Sequence, residues 1–205
     1  MKRFGNYLTE SKNTHMEHIE DMIFNDGVDG ARLAITSLQR LRNMLAGNSS
    51  KEFDITVKWD GAPAIFAGID PSDGKFFVGT KGVFNKNPKL NKTPADVRKN
   101  HSGDLAKKLL TALKYLPDLG IKGVVQGDLL FTREDLKTDT YDDDSYTTFH
   151  PNTIVYAIPT SSQLSKQIRA ARIGVVWHTI YKGNDLGSMS ASFGVDIAGN
   201  LKKTR

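Results

Sequence analysis

The chain contains no cysteine in its 205 residues. Disulfides, thiolate zinc sites and cysteine nucleophiles are therefore excluded. A reducing compartment is compatible with that composition, which does not by itself fix one. No apolar run approaches the roughly 20 residues of a membrane span, so no membrane partner is expected. The opening "MKRFGNYLTES" is polar and mixed in charge, unlike a secretory signal. There is no internal repeat and no long low-complexity tract. No glycine-rich loop joins a strand to a helix, so P-loop and dinucleotide-binding readings fail. His150 and His178 lack the spacing of a zinc site and read as structural histidines. The run Asp142, Asp143 and Asp144 lacks the glycine and final glutamate of a calcium loop and reads as a solvated loop.

Against these absences stands a chain of ordinary globular composition, with 25% charged and 39% hydrophobic residues. Lys plus Arg number 28 and Asp plus Glu 23, a net charge of +5 that permits polyanion binding without demanding it. The periodicities divide the chain into a leader and helical segment over 1–50 and a larger mixed domain over 51–205. Met16, Ile19, Met22 and Ile23 recur at helical spacing until "DG". Leu33, Leu38, Leu41 and Leu45 then continue a helix toward Gly47, with the leucines expected in a core. The texture changes at "FDITVKW", a half-buried strand. "APAIFAGID" and "KFFVGTK" follow as strands joined by the turn signal "PSDG".

A basic surface loop with Lys86, Lys89 and Lys92 ends in a short helix; beside Phe84 these lysines offer a phosphate-tracking surface or simply a solvated one. An amphipathic helix follows through Leu105, Leu109, Leu110 and Leu113. "IKGVVQGDLLF" reads as a strand pair or one bent strand, "TREDLKTDTYDDDSYTTFHPN" as a polar excursion and "TIVYAIP" as a strand. "SSQLSKQIRAARI" is a serine-capped helix and "IGVVWHTIYKG" a last strand. Helices first, then strands with inserted helices, predict an α+β fold with an antiparallel sheet. The ending "IAGNLKKTR" lacks a completed helix or turn, which suggests that a C-terminal part is missing.

The chemistry concentrates at "VKWDGAPAIFAG". A lysine at the end of a strand-like run is costly to bury without a partner. It reads either as a snorkelling strand-end residue paired with Asp60 or as a nucleophile at a pocket mouth. Lys58, Asp60 and Gly61 form K-x-D-G, which resembles motif I of the covalent nucleotidyltransferases, the ATP-dependent DNA and RNA ligases and messenger-RNA capping enzymes. The resemblance implies that Lys58 attacks the α-phosphate of a nucleoside triphosphate. Such a lysine must be neutral, so its pKa must fall from about 10.4. It also implies the antiparallel nucleotidyltransferase domain of the ligase type, with ATP and magnesium as cofactors and a nucleic-acid end as acceptor.

Further roles follow from the family order. Lys81 before Gly82 would contact phosphate or the acceptor. In "VVQGDLLF", Gln126, Gly127 and Asp128 stand where the family has D-G-E, so Asp128 would hold ribose or metal, or else merely cap a turn. Tyr156 would stack on the base or fill the core, and Lys182 would bind phosphate. Three residues depart from the pattern: Pro63 where the DNA ligases favour arginine, Gln126, and Ile173 where an acidic residue is expected before Gly174. A lysine-x-lysine motif has only "LKKTR" at Lys202 and Lys203 to offer.

The stretches "YLTESKNTHMEH", "VKWDGAPAIFAGIDPSDGKFFV" and "YTTFHPNTIVYA" also resemble a protein family of large tailed phages, marine cyanophages among them. Leu8, Thr9 and Glu10 fit the Leu-x-Glu rule of prohead-protease leaders, which implies cleavage after Glu10 and location in the virion or host cytoplasm. Two functions are thus expected: a polynucleotide ligase-type nucleotidyltransferase, or a non-catalytic nucleotide- or DNA-binding phage head protein on a degenerate ligase-like scaffold. GTP in place of ATP remains open at this stage.

Overall fold

The computed structural model describes residues 18–48, 59–193, 196–197, 199 and 201–202. The chain divides into two compact units, Met1–Lys58 and Trp59–Arg205. In the first unit the described residues form α1 (Asp21–Leu45). The "DG" stop survives as a kink: Gly27 has φ 57° and ψ −125°, outside helical geometry. Three residues on, a Cβ at Gly30 would lie 1.7 Å from the Met22 carbonyl, so the kink itself demands glycine there. Leu33, Leu38, Leu41 and Leu45, expected in a core, are instead exposed.

The second unit is α+β with two antiparallel sheets. The larger has the strand order β2–β1–β3–β7–β8, built from β1 (Ala64–Ile69), β2 (Phe76–Gly79), β3 (Val124–Thr132), β7 (Ile173–Lys182) and β8 (Ser190–Phe193). The smaller is β4 (Lys137–Tyr141), β5 (Asp144–Phe149) and β6 (Tyr156–Pro159) in sequence order. The expected meander is present: β1 pairs antiparallel with both β2 and β3. At the tip between β1 and β2, Asp70 accepts from the Ser72 amide and hydroxyl, and Gly74 takes φ 70°.

Alternation along β1 sends Ile65 and Ala67 to one face and Phe66 to the other. The first face is covered by α2 (Pro94–Asn100) and α3 (Gly103–Tyr115). Ala106, Leu109, Ala112 and Leu116 are the fully covered residues of this helical stretch, while Leu105, Leu110 and Leu113 pack at its margin. Complete burial of Leu109 alone stabilises by about 1.5–3 kcal/mol. A capping box starts α2, with Thr93 and Asp96 exchanging bonds and Pro94 at the first turn. The opposite sheet face is filled by Phe66, Phe77, Val83, Tyr181 and Met189, with Phe84 stacked on the cluster.

A third cluster of Leu130, Phe131, Phe149 and Ile158 joins the end of β3 to the small sheet. Behind that sheet lies α4 (Gln163–Ala170), capped by the Ser162 side chain as its sequence foretold.

The polar excursion is not a loop. Lys137–Phe149 forms a hairpin whose turn residues Asp142 and Asp143 take φ 46° and 64°, with Asp144 already in β5. Two positive φ values at the turn match the right-handed twist of the strands. The basic loop is also partly committed. Lys92 Nζ lies 2.5 Å from Asp70 and 2.8 Å from Asp73, so this lysine is bound to the β1–β2 tip. Phe84 is likewise no solvent platform, since its ring meets Phe66 and Tyr181 at 5.2 and 4.8 Å.

Candidate functional site

Lys58 lies outside the described residues, as do the "FDITVK" strand, Leu8, Thr9, Glu10 and Lys203. The rest of K-x-D-G can be followed from Trp59. The Asp60 amide donates to the Tyr156 hydroxyl at 2.8 Å, and that hydroxyl donates to the Asp60 carbonyl at 2.9 Å. Asn152 donates to the Asp60 carboxylate at 3.2 Å. The Tyr156 ring is stacked between Trp59 and Phe149, with centroids 5.1 Å away on each side and interplanar angles of 28° and 24°. Tyr156 is therefore already stacked on two protein rings. The ring expected to carry a base instead holds the K-x-D-G turn, through two hydrogen bonds and a three-ring stack.

Gly61 sits directly on β3. A Cβ there would lie 2.7 Å from the Leu129 carbonyl and 3.1 Å from the Asp128 Cβ. Two residues on, the Pro63 carbonyl accepts from the Leu129 amide at 3.1 Å, extending the pairing of β1 with β3. The Asp60–Gly61 turn and the Q-G-D strand, more than sixty positions apart in sequence, thus touch through a glycine that admits no side chain.

The Q-G-D residues divide their work by strand alternation. Gly127 lies under Trp177, whose Cε3 would be 2.8 Å from any Cβ at that position. Gln126 is buried and accepts from the Tyr181 hydroxyl at 2.7 Å. Burial pushes the Tyr181 phenol up to about 12. Asp128 is 8% exposed, and among the described residues it accepts no hydrogen bond. Its one ionisable neighbour there is His178, whose Nε2 stands 3.6 Å from Oδ1.

A bulge, not a sequence signal, brings His178 to Asp128. Thr179 pairs with Gln126 and Trp177 with Gly127, so His178 is the extra residue on β7. Its Nδ1 is 2.7 Å from the Thr179 hydroxyl. When that hydroxyl donates, the ring hydrogen lies on Nε2, toward Asp128. His150, by contrast, is exposed at the end of β5.

Register separates the two expected phosphate lysines. Ala64 pairs with Asp128 and Phe66 with Gly79, so the exposed Lys81, just beyond β2, begins at the same sheet end as Asp128. Two strand spacings, about 10 Å, lie between their backbones. Lys182 is at the other end. It pairs with Ser190, past the Tyr181–Val124 pair, roughly 15 Å along the strands from Asp128. Lys182 is thus not brought to this site. Its strand continues too far, a length the apolar pattern of "IGVVWHTIYKG" did not limit. Lys202 is also elsewhere, its amide bound to the Leu119 carbonyl.

Among the described residues no three His, Asp or Glu side chains converge as a metal cage. Asp128, with His178 beside it, is the only one of the expected metal-ligand positions at this sheet end. No described helix is long and apolar enough to cross a membrane.

The class defined so far is an α+β domain whose sheet end carries a buried carboxylate–imidazole pair under a glycine turn. The chain belongs to the family of unknown function DUF6267, which matches residues 13–205. No curated protein and no solved structure matches it.

Proposed function

We propose that the chain is an ATP-dependent nucleotidyltransferase of the polynucleotide-ligase type. The observation that carries this reading is the contact of Gly61 with Asp128 and Leu129, which supports the Asp60–Gly61 turn and Q-G-D acting together beside a nucleotide. Neutral Lys58 would attack the α-phosphorus through its Nζ lone pair. An N–P bond forms, the bond from the α-phosphorus to the bridging oxygen breaks, pyrophosphate leaves and Nζ gives up a proton. A nucleic-acid 5′-phosphate oxygen would then take the nucleotide, breaking the N–P bond as Nζ regains its proton.

Asp60 and Gly61, fixed by Tyr156, shape the turn beside the nucleotide. Lys81 would meet phosphate from the neighbouring strand end. Asp128 is the residue that would hold ribose or magnesium, whose chemistry is to neutralise the leaving pyrophosphate. With one carboxylate available, the remaining ligands of that ion would be the triphosphate and water.

A second reading has its own support. Lys182, expected on phosphate, lies far from Asp128, and Gln126, which stands where the family has an acidic residue, is spent on Tyr181. That favours a protein which captures a nucleotide without transferring it, such as a nucleotide- or DNA-binding phage head protein. Incubation with α-labelled ATP or GTP and magnesium separates the two. A covalent label on the denatured chain, absent in Lys58→Ala, is expected of the enzyme. No label with any triphosphate on a folded chain rejects it.

A further inference from the structure

Away from the K-x-D-G turn, a pocket of about 200 Å3 opens between the small sheet and α4. Its lining is Arg133, Leu136, Lys137, Thr138, Thr147 and Arg169, three cations with two hydroxyls and no carboxylate. The three cations come from three separate elements. Arg133 sits on the turn after β3, which is pinned by Thr132 and Asp135 in a capping box and by its own amide to the Arg172 carbonyl. Lys137 opens β4. Arg169 ends α4 and is aimed by donating Nη1 to the Thr138 and Thr147 hydroxyls at 3.1 and 3.3 Å. Thr147 is fully buried and bonded to Ser165 at 2.8 Å, so the floor under Arg169 is rigid.

Two of the three nearby acids are engaged elsewhere, and Glu134 does not line the pocket. Asp135 accepts from Thr132 and lies 3.5 Å from Lys108, while Asp139 accepts from Thr148 at 2.5 Å. Among the described residues, Arg133, Lys137 and Arg169 make no ion pair. Three like charges held together without a counter-ion repel one another, and a bound anion would remove that repulsion.

We propose that this pocket binds a phosphate of a nucleic-acid strand. Arg133 and Arg169 supply the planar donors suited to phosphate oxygens, and Lys137 adds a point charge. Along β3, Arg133 follows Asp128 by five positions, roughly 17 Å of extended chain. A strand of a few nucleotides therefore spans from this pocket to the carboxylate. The inference rests on the nucleic-acid partner of the proposed function and not on lysyl-nucleotide formation.

The test is fluorescence anisotropy of the full chain with a labelled single-stranded 20-mer, titrated with salt. Arg133→Gln, whose side chain makes no hydrogen bond among the described residues, and the Arg133→Gln/Arg169→Gln pair are compared with wild type and with Lys75→Gln/Lys122→Gln, a charge-matched control beside the opposite end of the large sheet. The double variant should bind at least about 5-fold more weakly at low salt, with a log–log salt slope smaller by about 0.7. Arg133→Gln alone should show part of that loss, and the distant control neither. Oligomers with and without a 5′-phosphate tell an internal from a terminal phosphate, both within the proposal. Wild-type affinity and slope in the double variant, or an equal loss in the distant control, overturns it. So does displacement of inorganic phosphate without any binding of the oligomer. Lys58→Ala should abolish labelling while leaving this binding intact, so each idea can fail without the other.

Discussion

Replacing Gly61 by alanine tests the contact on which the site depends. The added Cβ would be 2.7 Å from the Leu129 carbonyl, about 0.7 Å short of the 3.4 Å at which ordinary contact begins. The obstructing atom is backbone of a central strand, and the next nearest is the Asp128 Cβ at 3.1 Å, so no flexible side-chain end can swing aside. Overpacking of this kind costs about 1–3 kcal/mol. Gly61 has no positive φ, so alanine meets no backbone strain and gains about 0.4–1 kcal/mol by restricting the unfolded chain. The net expectation is a loss of about 1–2 kcal/mol, or about 3–6 °C in thermal midpoint.

Gly82→Ala is the control, because its Cβ would meet only side-chain atoms at ordinary contact distance, of Lys89 at 3.6 Å and Asn85 Nδ2 at 3.8 Å. It should melt at or slightly above wild type. Amide exchange at Leu129 supplies a local readout, since its N–H bonds the Pro63 carbonyl just beyond Gly61. Faster exchange there in Gly61→Ala is expected. An unchanged midpoint together with unchanged Leu129 exchange would refute the seating of this turn on β3.

Three further outcomes are expected. Tyr181 has a phenol raised to about 12 against about 10 unfolded, so its contribution is complete below pH ~10 and is lost as pH rises toward 12. Denaturant unfolding should show wild type losing on the order of 2 kcal/mol over that window which Tyr181→Phe does not lose; parallel alkaline limbs would sink the assignment. Asp143 is held at φ 64° in the β4–β5 turn, where glycine carries no Cβ penalty. Asp143→Gly should raise stability by about 1 kcal/mol in thermal melts, and a loss would contradict the turn geometry.

The Asp70 carboxyl is also expected to leave a mark on the pH dependence. Burial alone would push it up, but the hydrogen bonds from Lys92 and Ser72 hold it below the usual carboxylate range. Its contribution is present above the unfolded value near pH 4 and lost as pH falls through the lower native one. Asp70→Asn should cost about 1–3 kcal/mol at neutral pH and flatten the acid limb of the stability profile; an acid limb as steep as wild type would refute the linkage.

Sequence periodicity revealed β1, β2, α3 and α4 because each couples an apolar pattern to a local punctuation mark: "PSDG", the capping serine, the glycines. The β4–β5 hairpin escaped for a physical reason. All five residues of β4 are exposed, and its turn is Asp142–Asp143 rather than a pair ending in glycine. Such strands are held by ladder bonds and neighbours, which composition does not display. β8 is four residues of small side chains and one aromatic, too short to alternate visibly. The site shows the same division. That the Asp60–Gly61 turn lies beside Asp128 could be guessed from motif order, whereas His178 reaches Asp128 only because a bulge shifts β7 by one residue. One such slip reverses which side chains share a face, and nothing in "VVWHTIYKG" announces it.

The register also bears on how far the chemistry can run. Gly61, Lys81, Asp128 and His178 gather at one end of the large sheet, and Lys182 stands at the other. Nucleotide capture needs the first group alone: a turn close to the nucleotide, a carboxylate, and cations for phosphate. Transfer needs a second phosphate held as well; Lys81 can serve one, and Lys182, the other lysine expected on phosphate, is out of reach within this sheet. An acceptor would then have to be held from outside it. The pocket of Arg133, Lys137 and Arg169 begins where β3 ends, on the same strand that carries Asp128. A transferring enzyme with this fold would therefore rely on the small sheet, not on Lys182, to bring the second phosphate in. Loss of strand binding in the Arg133 and Arg169 variants, alongside retained labelling of Lys58, is the combination that this division of labour requires.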